Sequence, residues 1–498
     1  MLKILSSKQI KELDAYTILH EPIPSIELME RACEAFVNWF TLQFAAPRKI
    51  GIICGTGNNG GDGLGIARLL SELNYPVKVW IVRGAAPTTE DFKINFERIQ
   101  GKLDMFDIIS ASDQGVFSDR EILIDAVFGS GLSRPSEGVY AQAINCINNA
   151  KSIKIAVDIS SGLFANQSSS GKIVKADYTI SFQLPKLAFL LPENYGYVGE
   201  WKVVDIGLSR TFIKEAESPY FYIGKNSVKA KLKKRAKFDH KGKYGHALLI
   251  AGSFGKMGAG VLSARSCMRA GVGLLTVHVP KSGYSIIQTS VPEAMASIDE
   301  HEKFFSVELN PEQFTAIGIG PGIGQSNETI KAFSKLLKLG KPLVIDADGL
   351  NIISANPELI NLIPAGSILT PHPKEFERLV GVWQNDFDRL EKLKRFSVEA
   401  KAVIVLKGAH SSVASPDGKV HFNSTGNPGM ATGGSGDVLT GILTGLLAQG
   451  YSAENAAIVG VYLHGLSGDI AAREKGQHSL IASDLIDFLP AAFKNVAN

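Results

Sequence analysis

Lys49–Leu70 reads KIGIICGTGNNGGDGLGIARLL. A short apolar run, Lys49–Cys54 (KIGIIC), meets a glycine-dense turn, and a helix-like segment follows over Leu64–Leu73. The theme returns downstream as Val77–Val82 (VKVWIV), Ile122–Phe128 (ILIDAVF) and Ile153–Val157 (IKIAV), with helical stretches between. Alternating strand and helix predicts a parallel sheet covered on both faces. Upstream, Ser6–Gln9 has the S-x-x-Q form of a capping box ahead of a helix carrying Ile10, Leu13 and Ile18, and a second helix is expected over Ser25–Phe40.

Between Ile206 and Ile223 (IGLSRTFIKEAESPYFYI) the rhythm stops, which places a junction near residues 210–225 and domains at 1–215 and 225–498. It restarts with His246–Ala251 (HALLIA), a glycine turn and a helical Gly258–Ala270. Further strands are expected at Leu274–Val279, Ala316–Ile319, Pro342–Ile345, Ser367–Leu369 and Ala402–Leu406. No short internal repeat links the halves. In open parallel sheets ligands bind beyond the carboxyl ends of the strands. That rule selects Gly55–Gly63, Gly129–Pro135, Asp158–Gly162, Gly252–Gly260, Gly318–Gly324, Thr370–Pro373, Lys407–Ser411 and Gly426–Asp437.

The bulk properties narrow the function classes. At 498 residues, two or three domains are expected, and 45% hydrophobic with 20% charged residues is a globular composition. A net charge of +3 asks for neither nucleic acid nor membrane. The basic run Lys229–Lys243 reads first as the solvated start of a domain. Cys33, Cys54, Cys146 and Cys267 lie far apart without CxxC spacing, which suggests neither zinc nor a disulfide framework. With no signal peptide and no run of about 18 apolar residues, a cytoplasmic protein is expected.

Gly55-Thr-Gly57-Asn-Asn-Gly60 has the form G-x-G-x-x-G after a strand and before a helix, where free N–H groups suit a pyrophosphate. Two features oppose an ordinary dehydrogenase. Strand Val77–Val82 ends without the acid that holds a ribose, and Asp62 puts a carboxylate beside the anion. Such a carboxylate needs a cation or donor-rich ligand to offset it. Asn59, Asp125 and Ser161 offer oxygen ligands on converging strand ends and form a candidate cation site, each with the plainer alternative of a turn or cap residue. Asp158 ends a strand at the ligand edge, as an acid/base candidate or a simple cap.

Asn427–Gly441 (NPGMATGGSGDVLTG) is the densest signal in the chain. Its glycines run into an apolar helix, Val438–Leu447, and build an anion cradle from backbone N–H groups; Asp437 after Gly436 excludes a Walker loop. An acid in the first turn of that helix is placed to take a proton from a hydroxyl during phosphoryl transfer. Lys407-Gly408-Ala409-His410-Ser411 offers a cation and backbone groups for a nucleotide, and two prolines stiffen the chain around His372. His464, in an apolar helical segment, is read as packing.

These motifs resemble a known pair of families. Leu13-Asp14, Ile26–Arg31, Gly55–Gly63, Asp125–Gly131 and Asp158–Gly162 make the first half similar to the NAD(P)H-hydrate epimerase (YjeF N-terminal) family, with Cys33 and Ser160 departing from its usual glycine and proline. Lys241–Ser253, Arg269–Gly273, Gly320–Gly324, Asp346–Asn351, Thr370–Glu375, Lys407–Ala409 and Asn427–Gly441 make the second half similar to the ADP/ATP-dependent NAD(P)H-hydrate dehydratase family. The resemblance implies an α/β chain: a Rossmann-like three-layer domain followed by a ribokinase-like domain. It implies that Asn58, Asn59, Gly60, Gly61 and Asp62, with Gly129, Ser130, Gly131, Leu132, Ser133, Arg134 and Pro135, contact the nucleotide substrate. Asp158 would contact it too, and Asn59, Asp125 and Ser161 would bind potassium. In the second half Ala259, Gly322, His372 and Asp437 would contact the hydrated cofactor, and Lys407, Gly408, Ala409, His410, Ser411 and Gly436 would hold the adenine nucleotide.

The activity so implied is epimerisation of R- and S-NAD(P)HX by an isomerase half. A lyase half then dehydrates the S form with ADP and magnesium, giving AMP and phosphate. The partners are NADHX or NADPHX and ADP, and a homo-oligomer is expected. Asp158 and Asp437 are the catalytic candidates. Two alternatives stand beside this reading: a small-alcohol kinase in the second half, and a non-catalytic binding module in the first.

Overall fold

The computed structural model describes residues 1–84, 87–108, 117 and 119–498. The chain divides into two compact units: Lys3–Ser218 with Asn385–Phe387, and Pro219–Gln384 with Asp388–Asn498 and Met1–Leu2. Among the described residues no helix is long and apolar enough to cross a membrane.

The N-terminal unit is built on a parallel sheet with strands in the order Asp104–Ile108, Val77–Val82, Ile50–Cys54, Ile122–Ala126, Ile153–Val157, Tyr178–Phe182 and Glu200–Val204. Numbered along the chain from Ile50–Cys54, that order is 3-2-1-4-5-6-7. The direction of winding therefore reverses between Ile50–Cys54 and Ile122–Ala126, and a crevice opens beyond their carboxyl ends. Both strands are buried along their whole length, as expected of a parallel sheet covered on both sides. Helices Ser25–Gln43 and Asn58–Glu72 cover one face through Phe36, Phe40, Leu64 and Ile66. Helix Gly138–Asn149 covers the other, with Ile144 and Ile147 against Trp80 and Leu123. Each such aliphatic side chain contributes about 1.5–3 kcal/mol when fully buried.

One expectation is corrected here. The helix after the glycine turn begins at Asn58, not near Leu64, so Gly60, Gly61, Asp62 and Gly63 are helical. Packing is the reason. A Cβ on Gly60 would run into the Gly55 carbonyl oxygen, and one on Gly63 would stand 2.6 Å from Ala126 Cβ and 2.7 Å from Cys54 Sγ. Helix propensity is lowered by roughly 1 kcal/mol per glycine, and burial against the sheet overrides it.

In the C-terminal unit the parallel strands run Met295–Ile298, Leu274–Val279, His246–Ile250, Ala316–Ile319, Leu343–Ile345, Ile368–Leu369 and Val403–Leu406. Counted from His246–Ile250 this is again 3-2-1-4-5-6-7. Here the sheet continues through an antiparallel pair, Ser412–Ala414 and Val420–Phe422, and then Tyr220–Tyr222. Helix Ser435–Ala448 is apolar on all sides and buried from Val438 to Ala448, as a central helix must be. It packs on helix Met257–Arg269 at glycines: a Cβ on Gly441 would strike Ser263 and Ser266, and one on Gly445 would stand 2.8 Å from the Cys267 carbonyl oxygen. Two helix starts are thereby held together, one carrying Ala259 and the other Asp437.

Candidate active sites

In the N-terminal unit the crevice is a cavity of about 510 Å³. Asn58, Asn59 and Asp62 line it from the helix start, Gly129, Ser130, Gly131 and Leu132 from the loop after Ile122–Ala126, and Asp158 from the end of Ile153–Val157. Gly60 and Gly61 are instead buried in the helix packing, and Ser133, Arg134 and Pro135 are exposed outside the cavity wall.

Asp125 and Ser161 are wholly buried. The Ser161 N–H and Oγ–H both donate to Asp125, at 2.8 and 2.6 Å, and Ser161 Oγ accepts the Phe128 N–H at 2.8 Å. Burial still pushes the Asp125 carboxyl up to about 6. Asn59 Oδ1 stands 3.5 Å from where a Cβ on Gly129 would be, and its Nδ2 is buried without a partner. Asp125 and Ser161 thus form a buried hydrogen-bonded pair outside the cavity lining while Asn59 lies on the cavity wall, and among the described residues no cationic side chain bonds the Asp125 carboxylate.

Asp158 adopts a left-handed backbone, φ +64°, uncommon for a residue with a Cβ. Its carboxylate accepts Lys186 Nζ at 2.7 Å, the Phe182 N–H at 3.1 Å and the Ser181 hydroxyl at 3.4 Å. Lys186 is 2% exposed, a buried ion pair at the cavity wall. Asp14 lines the same cavity, its carboxyl raised to about 6 by burial and by Asp158, with Lys186 opposing. Asp62 is raised well above the usual carboxylate range by burial, Asp158, Asp14 and Asp91. Asp91 accepts the Ser25 hydroxyl at 2.6 Å. Sequence reasoning missed Lys186 and Asp91 and gave Asp14 no role. The available signal for Lys186 was a lone lysine inside the apolar run Ser181–Leu191 (SFQLPKLAFLL).

The two departures from the family pattern are local packing. Cys33 Sγ donates to the Asp62 carbonyl at 3.3 Å and fills the space beside Gly65, and the Ser160 hydroxyl donates to the Tyr197 carbonyl at 2.7 Å.

In the C-terminal unit Gly434 caps helix Ser435–Ala448 with a left-handed φ of +90° and aims the helix start at the strand ends. Asp437 lies in the first turn. Burial, with the neighbouring Asp346 carboxylate, raises it to about 6, and Lys407 opposes that shift. Lys407 Nζ bonds Asp346 Oδ1 at 2.9 Å and lies 3.8 Å from Glu375, while the Thr440 hydroxyl donates to Asp346 Oδ2 at 2.7 Å. A Cβ on Gly436 would meet only Lys407 Nζ at 3.5 Å and Asp346 Oδ2 at 3.6 Å. The Ser263 hydroxyl donates to the Asp437 carbonyl at 3.0 Å.

His372 caps helix Pro373–Val380. Its Nδ1 accepts the N–H groups of Lys374 and Glu375 at 3.1 and 3.2 Å, and its own N–H donates to Glu375 Oε2 at 2.8 Å. Ala259 and Gly322 are neighbours: a Cβ on Gly322, at φ +65°, would stand 3.4 Å from Ala259 Cβ. Gly408 and Ala409 are exposed, the Ser411 hydroxyl donates to the Gly408 carbonyl at 3.1 Å, and His410 Nδ1 lies 3.0 Å from the Asn423 carbonyl oxygen. His464 packs as read, and its Nε2 is 3.0 Å from the Ser435 carbonyl oxygen, with burial lowering its pKa to about 4. Asp346, Glu375 and Thr440 carried no site role from the sequence. Asp346 ends a strand just as Asp158 does, and that criterion would have found it.

The chain matches two family models, one described as YjeF-related protein N-terminus over residues 25–188 and one as NAD(P)H-hydrate dehydratase over residues 247–491. It is 36% identical to the bifunctional NAD(P)H-hydrate repair enzyme Nnr of Moorella thermoacetica, over 99% of this chain and 97% of that protein. It is 32% identical to the protein of the same name from Escherichia coli, over 93% of this chain and 88% of the other. Among solved structures, a ribokinase-like superfamily protein from Enterococcus faecalis V583 is 28% identical with a TM-score of 0.50, over 57% of this chain and 98% of that one. The second unit is thus a ribokinase-like α/β domain.

Proposed function

The chain belongs to the bifunctional NAD(P)H-hydrate repair enzymes, and on that premise we propose which residues carry each half of the repair. Residues 1–215 are taken as the epimerase domain and 225–498 as the dehydratase domain. The substrate's C6 carries both the ring nitrogen and the added hydroxyl. Loss of hydroxide gives an iminium ring, and water returning to the other face gives the other epimer. The carboxylate of Asp158 faces that cationic ring, and Asn58, Asn59, Asp62 and Gly129–Leu132 bind the nucleotide around it. Asn59, Asp125 and Ser161 would hold potassium, which supplies the positive charge that buried Asp125 lacks.

In the second domain Asp437 takes the proton from the S-epimer hydroxyl as a phosphoryl group arrives from the nucleotide; phosphate then leaves C6, C5 gives up a proton to the departing phosphate, and the C5–H electron pair forms the 5,6 double bond. Its raised pKa of about 6 suits a base working near neutrality. The open N–H groups around Gly436 and the Lys407 ammonium receive the transferring charge. Asp346 and Asp437 would hold, through water, the magnesium that accompanies the nucleotide. Ala259, Gly322 and His372 bind the hydrated cofactor, and Lys407–Ser411 the nucleotide. ADP is taken as the donor, and ATP is tested beside it.

The observation that carries this reading is the cluster of Asp437, Asp346 and Lys407 at a glycine-led helix start with open space beside Gly436. The test is absorbance at the NADH band after mixing the chain with epimeric NADHX, magnesium and ADP, with ATP in parallel. Recovery from both epimers with ADP is expected. Recovery that stops at the S fraction removes the epimerase assignment, and a stable phosphorylated alcohol without NADH removes the dehydratase assignment.

A further inference from the structure

The cavity of the N-terminal unit holds an unusual surplus of acids. Its ionisable wall residues are Lys11, Asp14, Asp62, Asp91, Tyr140, Asp158 and Lys186. Their environments differ. Asp158 is tied to Lys186 and two further donors, and Asp91 takes the Ser25 hydroxyl. Asp62, on helix Asn58–Glu72, lines the cavity with its backbone carbonyl bonded by Cys33, and its carboxyl is held well above the usual carboxylate range by burial and by Asp158, Asp14 and Asp91. Asp14, on helix Ser7–His20, has no hydrogen-bond partner among the described side chains and lines the cavity within electrostatic reach of Asp158. Two carboxyls held in contrasting environments at one site divide into a proton carrier and a fixed charge.

We propose that Asp14 is a catalytic residue of epimerisation, the acid that protonates the departing C6 hydroxyl and recovers the proton from the returning water, beside the Asp158–Lys186 ion pair. The inference rests on the epimerase reading above. The Asp14 proton passes to the C6 oxygen, the C6–O bond breaks with its electron pair leaving on water, and the ring-nitrogen lone pair forms the C=N bond of the iminium. The planar ring turns about its bond to ribose. Water then adds at C6, the C=N pair returns to nitrogen, and the water's surplus proton goes to the Asp14 carboxylate. Asp158 and Asp91 stabilise the cation throughout. Burial and the Asp158 charge set Asp14 near 6, so a useful fraction is protonated at working pH.

The test supplies pure R-NADHX, ADP, magnesium and an excess of a separate S-specific dehydratase, so that NADH absorbance above the spontaneous rate reports epimerisation. Asp14→Asn is expected to lower kcat by about 100-fold or more with KM within about threefold, while urea unfolding read by the fluorescence of Trp39, Trp80 and Trp201 reports an intact N-terminal unit. Wild-type kcat/KM falls as pH rises through about 6, and that limb is absent from Asp14→Asn. Asp14→Glu keeps the limb at reduced kcat. Asp158→Asn, by removing a neighbouring negative charge, moves the limb of its residual activity to lower pH. An Asp14→Asn variant with wild-type kcat, with a loss confined to KM, or with the limb unchanged overturns the inference. A wild-type chain that leaves R-NADHX unchanged overturns the epimerase reading beneath it as well.

Discussion

The two units share one strand order, 3-2-1-4-5-6-7, and each places a glycine run at the start of a helix, yet the glycines have different causes. In Gly55–Gly63 the backbone is closed in: Gly55 meets the Val127 carbonyl, Gly60 the Gly55 carbonyl, and Gly63 the strand beneath, with Gly57 alone open. In the block before Asp437 the glycines divide: Gly429 packs on Gln477 and Gly434 on Leu262, while Gly433 has nothing near it and Gly436 faces only Lys407 and Asp346. The first run exists so that a helix can seat on a sheet, the second so that a ligand can reach backbone N–H groups. A glycine-dense motif thus marks close approach without saying what approaches.

The largest effect that sharpens the contrast is expected at Asp437. Asp437→Asn should lower the rate of S-NADHX dehydration by about 10²–10⁴-fold and leave R-to-S conversion at the wild-type rate; NADH absorbance from pure S-NADHX reads the first, and from pure R-NADHX with an added S-specific dehydratase the second. A pair of glycine substitutions comes next. Gly60→Ala drives a methyl into the Gly55 carbonyl and should destabilise the N-terminal unit by about 2–4 kcal/mol in urea unfolding followed by fluorescence, since Trp39, Trp80 and Trp201 all lie in that unit and only Trp383 in the other. Gly433→Ala, in open space, should change stability by less than about 0.5 kcal/mol and raise KM for ADP several-fold. Equal destabilisation by both would break the comparison.

The smallest effect is ionic. The buried Asp125 carboxyl has its folded pKa raised to about 6, above its unfolded value, so its contribution to stability is complete below about 4 and declines as pH rises through 6. Potassium bound at Asn59, Asp125 and Ser161 opposes that decline. Replacing choline by potassium at pH 7.5 should raise the melting temperature read by tryptophan fluorescence by a few degrees, and by less at pH 5. A shift equal at both pH values would detach the cation from Asp125.

Much of this architecture was legible because long buried strands advertise themselves. Ile50–Cys54, Val77–Val82, His246–Ile250 and Leu274–Val279 are apolar runs bounded by glycine or charge, and the loops after Ile50–Cys54, Ile153–Val157 and Ile368–Leu369, with the glycine block, supplied Asn59, Asp158, His372 and Asp437. Strands such as Asp104–Ile108, with exposed polar positions, and three-residue pieces such as Ser412–Ala414 carry too little pattern to be seen. The helix start at Asn58 was obscured because glycine's poor helix propensity spoke against what packing required. Lys186, Asp14 and Asp346 acquire meaning only from partners 28, 144 and 61 positions away, namely Asp158, Asp158 and Lys407. Periodicity is blind to such pairs.

His372 shows what a helix cap can do to an imidazole. Both N–H groups of the first turn point at its Nδ1, so that nitrogen must offer a lone pair, and the ring is fixed as the Nε2–H tautomer. Protonating it would turn an acceptor of two hydrogen bonds into a third donor crowded against them. The ring is therefore spoken for on one side, and on the other its Nε2 lies 3.5 Å from Glu375 Oε1. It can give a hydrogen bond to an oxygen of whatever enters the site, but it is barred from removing a proton there. The cap that starts a helix thereby leaves base chemistry in this domain to the carboxylates.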